Sequence, residues 1–151
     1  MPTEAKWEYE TRGGLAGKGY PWGDSVDSNK AYYDGCVEEP RAVGIYAAKG
    51  YGLYGMAGNV YEWWADWYDE NYYSNLPVKN PPGSGPDSSR VLRGGSWNYP
   101  TNDLRVATRL NSSPTYKYSY YGFRCAILNP CEARAFTTGR RQAEDSNITG
   151  K

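Results

Sequence analysis

An α+β domain, rich in loops and built from short antiparallel strands with few short helices, is the fold class this sequence predicts, and three observations carry the prediction. The segment EAKWEYETR, preceded by Pro2-Thr3 and followed by Gly13-Gly14, is the clearest helix signature in the chain. From Leu15 to Lys49 the chain is punctuated by Gly, Pro, Asp and Asn (GKGYPWGDSVDSNK, YYDG, EEPRAVG) with no sustained period of 3.6 or 2. Beyond it, apolar runs of strand length alternate with turn-forming connectors. A length of 151 residues suits one domain with a modest single core.

In the first element, Thr3 is the expected N-cap, Glu4 lies favourably at the positive end of the helix dipole, and Gly13-Gly14 is the stop. The segment from Leu15 to Lys49 is read as a long ordered loop region, because Trp22, Tyr32 and Tyr33 need surfaces to pack on. VYEWWADWY reads as a strand on which Val60, Glu62 and Trp64 share one face, although its period leaves a helix open. NLPVKNPPGSGPDSS is a connector, and RVLRGGSW is a strand that ends in a glycine bend. LRVATRL and YGFRCAIL are two further strand candidates, separated by the polar loop NSSPTYKYSY. The domain is placed at 1–128. Residues 129–151 lose hydrophobic pattern and are read as a flexible tail, with Asn147-Ile148-Thr149 a chance sequon.

Composition narrows the function classes. Lysine plus arginine and aspartate plus glutamate number 17 each, so no net charge draws the chain to nucleic acid or to an anionic membrane. No stretch approaches the roughly 20 apolar residues of a membrane span, and the start MPTEAKWEYE has no charged region followed by an apolar core. The reading is therefore a soluble chain without membrane insertion, its compartment unassigned. Histidine is absent, which excludes Ser-His-Asp and Cys-His nucleophiles, a two-His-one-carboxylate iron site and most zinc sites. Cys36, Cys125 and Cys131 are too few for a disulfide framework. Sixteen Tyr and six Trp raise aromatic content to 16%, which suits flat amphipathic side chains near a surface.

Four blocks, PTEAKWEYETRGG with YPWGD, YGLYGMAGNVYEWWADWY, RVLRGGSW and YGFRCA, stand in this order in the chain. Together they resemble the signature blocks of the formylglycine-generating enzyme and sulfatase-modifying-factor family, which includes lectin-like variable proteins diversified by retroelements. The resemblance covers residues 1–128 and implies a C-type-lectin-like fold. It also implies a comparable amount of sequence before the PTEA helix, so the chain is read as an N-terminally truncated domain. The early strand that partners YGFRCAIL would then be missing, leaving an unpaired edge.

For function, the resemblance points in two directions. Family oxidases bind copper(I) through two cysteines after the GGS-aromatic block. Here those positions fall on Tyr99 and near Leu104, and the usual histidine is Pro100, so a copper-dependent oxidase centre is not expected. Cys125 matches a frame position and is read as a buried structural thiol; Cys36 and Cys131 are read as stray exposed thiols. One family calcium site is matched by Glu62 with the carbonyls of Gly58 and Val60, weakened because its usual Asp or Asn is Gly55. Glu62 as a cap for buried backbone amides is the alternative. At the second calcium site, Tyr32 stands where an Asn is usual. The positions that diversified members vary correspond to Asn98–Leu104 and Leu110–Tyr121. The resemblance therefore nominates Asn98, Tyr99, Thr101, Asp103, Tyr116, Tyr118 and Tyr120 as contacts to a protein or glycan ligand, against a reading of these loops as ordinary solvated surface. The implied function is a non-catalytic binding module. The alternative is a formylglycine-generating oxidase-type or related modifying enzyme whose catalytic elements lie outside this sequence.

Overall fold

The computed structural model describes residues 1–35, 39–75 and 81–127. The expected tail, Cys36 and Cys131, and part of the connector before β2 lie outside these residues. One helix, α1 (Glu4–Arg12), packs against a sheet of β1 (Tyr61–Trp67), β2 (Arg90–Arg93), β3 (Leu110–Ser112) and β4 (Tyr121–Gly122). Short 3-10 turns lie at Tyr72–Asn75 and Thr101–Leu104. The sheet order is β3-β2-β1-β4. The β1/β2 and β2/β3 pairs are antiparallel, as expected, whereas β4 runs parallel to β1. That exception follows from the route of the chain, since the loop after β3 carries it past two strands to the opposite edge of the sheet.

Helix α1 ends as expected and begins differently. Gly13 sits in the left-handed region at φ 50° and donates its N–H to the Glu10 carbonyl at 3.1 Å. A Cβ there would lie 2.2 Å from the Gly50 Cα, so both conformation and space demand glycine. Thr3 holds the N-cap position but its side chain makes no cap. Asp66 of β1 accepts the Glu4 N–H instead, at 2.6 Å. A sheet carboxylate thus satisfies a free amide at the helix N-terminus and ties the helix to β1.

Glu4, Trp7 and Thr11 form the buried face of α1. Trp7 packs on Trp64 with ring centroids 5.7 Å apart, and Met56 and Val91 complete this cluster. The charged part of the same interface is a network of Glu4 and Glu8 with Arg93 and Arg109, and Arg12 of the helix also pairs with Glu8 at 2.7 Å. Arg109 holds both oxygens of Glu4 (2.7 and 2.9 Å) and donates to the Asp69 carbonyl at 2.8 Å. Arg93, fully buried, bonds Glu8 and the Thr108 carbonyl. Its Nε lies 3.2 Å from Glu4, at ion-pair distance without hydrogen-bond alignment.

The long loop region is ordered where described. Between Gly13 and Val60 the described residues form no helix or strand, yet Tyr20, Ala31 and Ala57 build a second core cluster with Leu104. Trp22, Val26 and Tyr33 pack against it, and Tyr32 is buried beneath the Arg41 guanidinium, 3.8 Å from the ring centroid. Along β1 the residues Glu62, Trp64 and Asp66 share the buried face, and Tyr61 is buried as well. β2 ends in Gly94 and Gly95, both at positive φ, matching the expected glycine bend.

Two strand expectations are corrected. LRVATRL is not a strand: Leu104 closes a 3-10 turn, Val106 donates its N–H to the Gly19 carbonyl, and Thr108 closes a turn onto Arg105, so β3 begins only at Leu110. The apolar residues that suggested a strand are instead anchors for the loop region. Among the described residues of YGFRCAIL, only Tyr121 and Gly122 join the sheet. Beyond them Arg124 turns inward to Glu62 while Phe123 and Ile127 are 70% and 99% exposed. Cys125 is consequently exposed, not buried.

The charge network makes the fold sensitive to a single residue. Arg93→Ala would leave Glu4 with half its compensation and Glu8 unpaired on one side, a loss of roughly 3–5 kcal/mol by analogy with broken buried pairs. Urea unfolding of the two proteins measures it; a change under about 1 kcal/mol, the range of exposed pairs, would show that the network carries little of the stability.

Candidate functional site

The loop after β2 and the loop before β4 meet over the end of β1, and what they bring together is mostly tyrosine. Tyr118 and Tyr120 stack face to face, with centroids 5.0 Å apart and an interplanar angle of 6°. Tyr121 stands edge-on to both, at 5.1 and 5.0 Å. Tyr116 extends the row at 6.2 Å from Tyr118, and Tyr99 closes it at 5.7 Å from Tyr120. Tyr116 and Tyr118 are exposed, Tyr99 and Tyr120 half-buried. The result is a ledge of phenols that grades from solvent to core.

Its support is Tyr61. This ring, 1% exposed, meets Tyr99 edge-on at 5.1 Å, and its hydroxyl donates to the Asp103 carboxylate at 2.8 Å. The Tyr61 N–H donates to the Tyr120 carbonyl at 2.8 Å, so β1 holds both loops at once. Burial, then the Asp103 carboxylate, pushes the Tyr61 phenol far above the ordinary tyrosine range. Partial desolvation and the neighbouring phenols raise Tyr120 as well. Both phenols, neutral near pH 7 as tyrosine ordinarily is, act as hydrogen-bond donors and acceptors.

Of the residues nominated from the sequence, Tyr99, Tyr116, Tyr118 and Tyr120 are joined by ring contacts and Asp103 by its bond to Tyr61. Asn98 is occupied by a hydrogen bond from the Ser96 hydroxyl at 2.8 Å, and Thr101 opens the 3-10 turn that carries Asp103. Tyr61, Trp63 and Tyr121 belong to the same aromatic cluster and were not nominated. Their signal was the two loops' tyrosine density beside an aromatic strand. Tyr99 and Leu104 have distinct places: Tyr99 in the ledge, Leu104 in the second core cluster, 1% exposed.

The Glu62 region forms a separate site. Arg124 donates from Nε to both Glu62 oxygens (2.9 and 2.8 Å) and from Nη2 to one of them at 2.7 Å. Its remaining reach goes to the carbonyls of Gly55 (2.9 Å) and Tyr54 (3.3 Å). Burial pushes the Glu62 carboxyl up, and the Arg124 guanidinium opposes that shift. Gly58, at φ 79°, accepts the Val60 N–H at 3.0 Å. Among the described residues no group of three or more His, Cys, Asp or Glu side chains converges on one point. Arg124 thus occupies the Glu62 carboxylate that a calcium ion at Gly58, Val60 and Glu62 would use.

An α+β domain of one helix and a four-stranded sheet, with long ordered loops that present aromatic residues at one end, is a C-type-lectin-like architecture. The chain matches the sulfatase-modifying factor enzyme 1-like domain over residues 1–128 and belongs to that family. It is 39% identical to the formylglycine-generating enzyme of Streptomyces coelicolor over 145 residues, covering 83% of this chain and 46% of that protein. It is 42% identical to the serine/threonine-protein kinase pkn1 of Chlamydia pneumoniae over 128 residues, covering 83% of this chain but 20% of that protein. Among solved structures, Treponema denticola variable protein 1 superposes with a TM-score of 0.70 at 33% identity, over 82% of this chain and 45% of the other. The chain therefore spans less than half the length of these relatives.

Competition at Glu62 sets a measurable expectation. About 1 mM calcium, within the range of weak extracellular sites, is expected to leave the thermal midpoint of the protein unchanged and to raise that of Arg124→Gln, in which Glu62 is released. A rise in the unsubstituted protein would show that calcium displaces the guanidinium.

Proposed function

We propose that this domain is a non-catalytic ligand-binding module whose tyrosine ledge contacts a protein or glycan, in the manner of a retroelement-diversified variable protein. One observation carries the reading: an ordered row of exposed and half-buried phenols rests on a buried Tyr61 whose hydroxyl is held by the half-buried Asp103. Tyrosine supplies rigid contact area at small entropy cost, and the flanking Asn98 and Thr101 add short polar groups. Rings already fixed by one another lose little freedom when a ligand covers them, which favours affinity through preorganisation. The likeness to Treponema denticola variable protein 1 supports the same reading.

An oxidase-type reading draws on the identity to the Streptomyces coelicolor formylglycine-generating enzyme. The residues of this chain do not favour it. At the two positions where the family's copper thiolates stand, this chain has a phenol packed on other phenols and an aliphatic side chain in the core. Soft Cu(I) has no donor there.

Screening the purified chain against immobilised glycans and displayed proteins, followed by titration of the best ligand, tests the proposal. Tyr118→Ala and Tyr120→Ala should each weaken binding about tenfold, the scale of one well-placed aromatic contact. A cysteine-containing sulfatase peptide should remain unconverted in the presence of copper. Ligand affinity unaffected by either substitution, or aldehyde formation in the peptide, would overturn the reading.

A further inference from the structure

We propose that a second cavity, between the Arg41–Tyr46 loop and the Phe123–Arg124 segment, binds a small organic acid with a flat apolar body and one carboxylate. The cavity has a volume of about 130 Å³, and Arg41, Tyr46, Tyr54, Val43 and Phe123 are among its walls. None of the ledge tyrosines nominated above lines it, so the two sites are distinct.

The charge pattern selects the ligand. Two arginines, Arg41 and Arg124, line the cavity, and among the described residues its one carboxylate is Glu62. Because Arg124 is consumed by Glu62 and by the Tyr54 and Gly55 carbonyls, the remaining charge is that of Arg41. Among the described residues no carboxylate pairs with Arg41. Its guanidinium stacks on the Tyr32 ring at 3.8 Å and donates one bond, to the Tyr46 hydroxyl at 3.3 Å. Four of its five N–H groups are left to solvent or ligand.

Arg41 is also held in place before any ligand arrives. Asn59, at φ 68°, grips its backbone from both sides: the Asn59 Oδ1 accepts the Arg41 N–H at 2.8 Å and Nδ2 donates to the Arg41 carbonyl at 3.1 Å. A fixed planar fork matches the two oxygens of a carboxylate, and a single negative charge balances the single free cation. The remaining wall is apolar and wet, with Val43 91% and Phe123 70% exposed. A flat hydrocarbon body would cover that surface and gain from leaving water.

Benzoate and its neutral isostere benzamide are the probes, titrated into the full chain and followed by amide chemical shifts. Benzoate should shift residues of the Arg41–Tyr46 loop and Phe123–Arg124, and benzamide should bind at least about tenfold more weakly, the value of a charge-assisted bidentate contact. Arg41→Gln should abolish the preference for benzoate, whereas Arg41→Lys, which keeps the charge but not the fork, should retain part of it. Circular dichroism of both variants confirms that they are folded. Equal binding of the two probes, shifts confined to the ledge, undiminished benzoate preference in Arg41→Gln, or no shifts up to tens of millimolar would each overturn the proposal.

Discussion

The buried guanidinium of Arg93 is the constraint around which the domain is arranged. A fully buried cation is tolerable only if carboxylates and carbonyls surround it, because desolvation costs several kcal/mol per ion. Here Glu4 and Glu8 come from α1, the Thr108 carbonyl from the approach to β3, and Arg109 returns to Glu4 from the same segment. The helix, the sheet and the loop after β2 are thereby committed to one relative placement. The face of Trp7 over which Arg93 lies, 4.9 Å from centroid to guanidinium carbon, joins this charge network to the apolar cluster beneath the helix. Any shift of α1 along the sheet would separate these charges and disturb the Trp7–Trp64 contact together.

The loops are held by a different principle. A chain segment without regular structure must find partners for its backbone groups one at a time. In this domain many come from glycine bends and strand ends: Asn59 donates to the Tyr32 carbonyl, Gly35 to Trp97, Asp34 to Tyr99 and Val106 to Gly19. Gly58 is required at one such approach, since a Cβ would lie 2.5 Å from the Tyr32 carbonyl oxygen. These contacts link the early loop region directly to the loop bearing Tyr99. The ledge therefore rests on the second core cluster as well as on β1.

How much of this was legible in the sequence depended on whether the deciding contact was local. The helix, its glycine stop and the Arg90–Arg93 strand were readable because their signals lie within a few residues of where they act. Asp66 capping the helix was not, since its partner is 62 positions away, and Thr3 offered a plausible local answer that the fold did not use. Arg124 claiming Glu62 is likewise a pairing across 62 positions, with no local signal in the sequence. LRVATRL misled because strand period and buried loop anchors look alike when a segment is short. In the candidate ledge, residue types and loop positions were visible through the family resemblance. The buried Tyr61 beneath them was not, because β1 reads equally well with its alternate face as the core.

The ledge and the second cavity also use opposite physics. Phenols offer contact area and hydrogen bonds with no formal charge near neutral pH, which fits a chain whose total charge is zero. Selectivity at such a surface must come from shape and hydrogen-bond placement, with weak dependence on ionic strength. At the Arg41 cavity a single uncompensated cation beside exposed apolar walls makes recognition charge-dependent and small in scale. A domain that carries both can respond to two unrelated chemistries, and Asn59 is the residue on which they converge: its side chain grips Arg41 while its carbonyl accepts the Trp97 N–H below the ledge. Its left-handed backbone lets one residue face both ways.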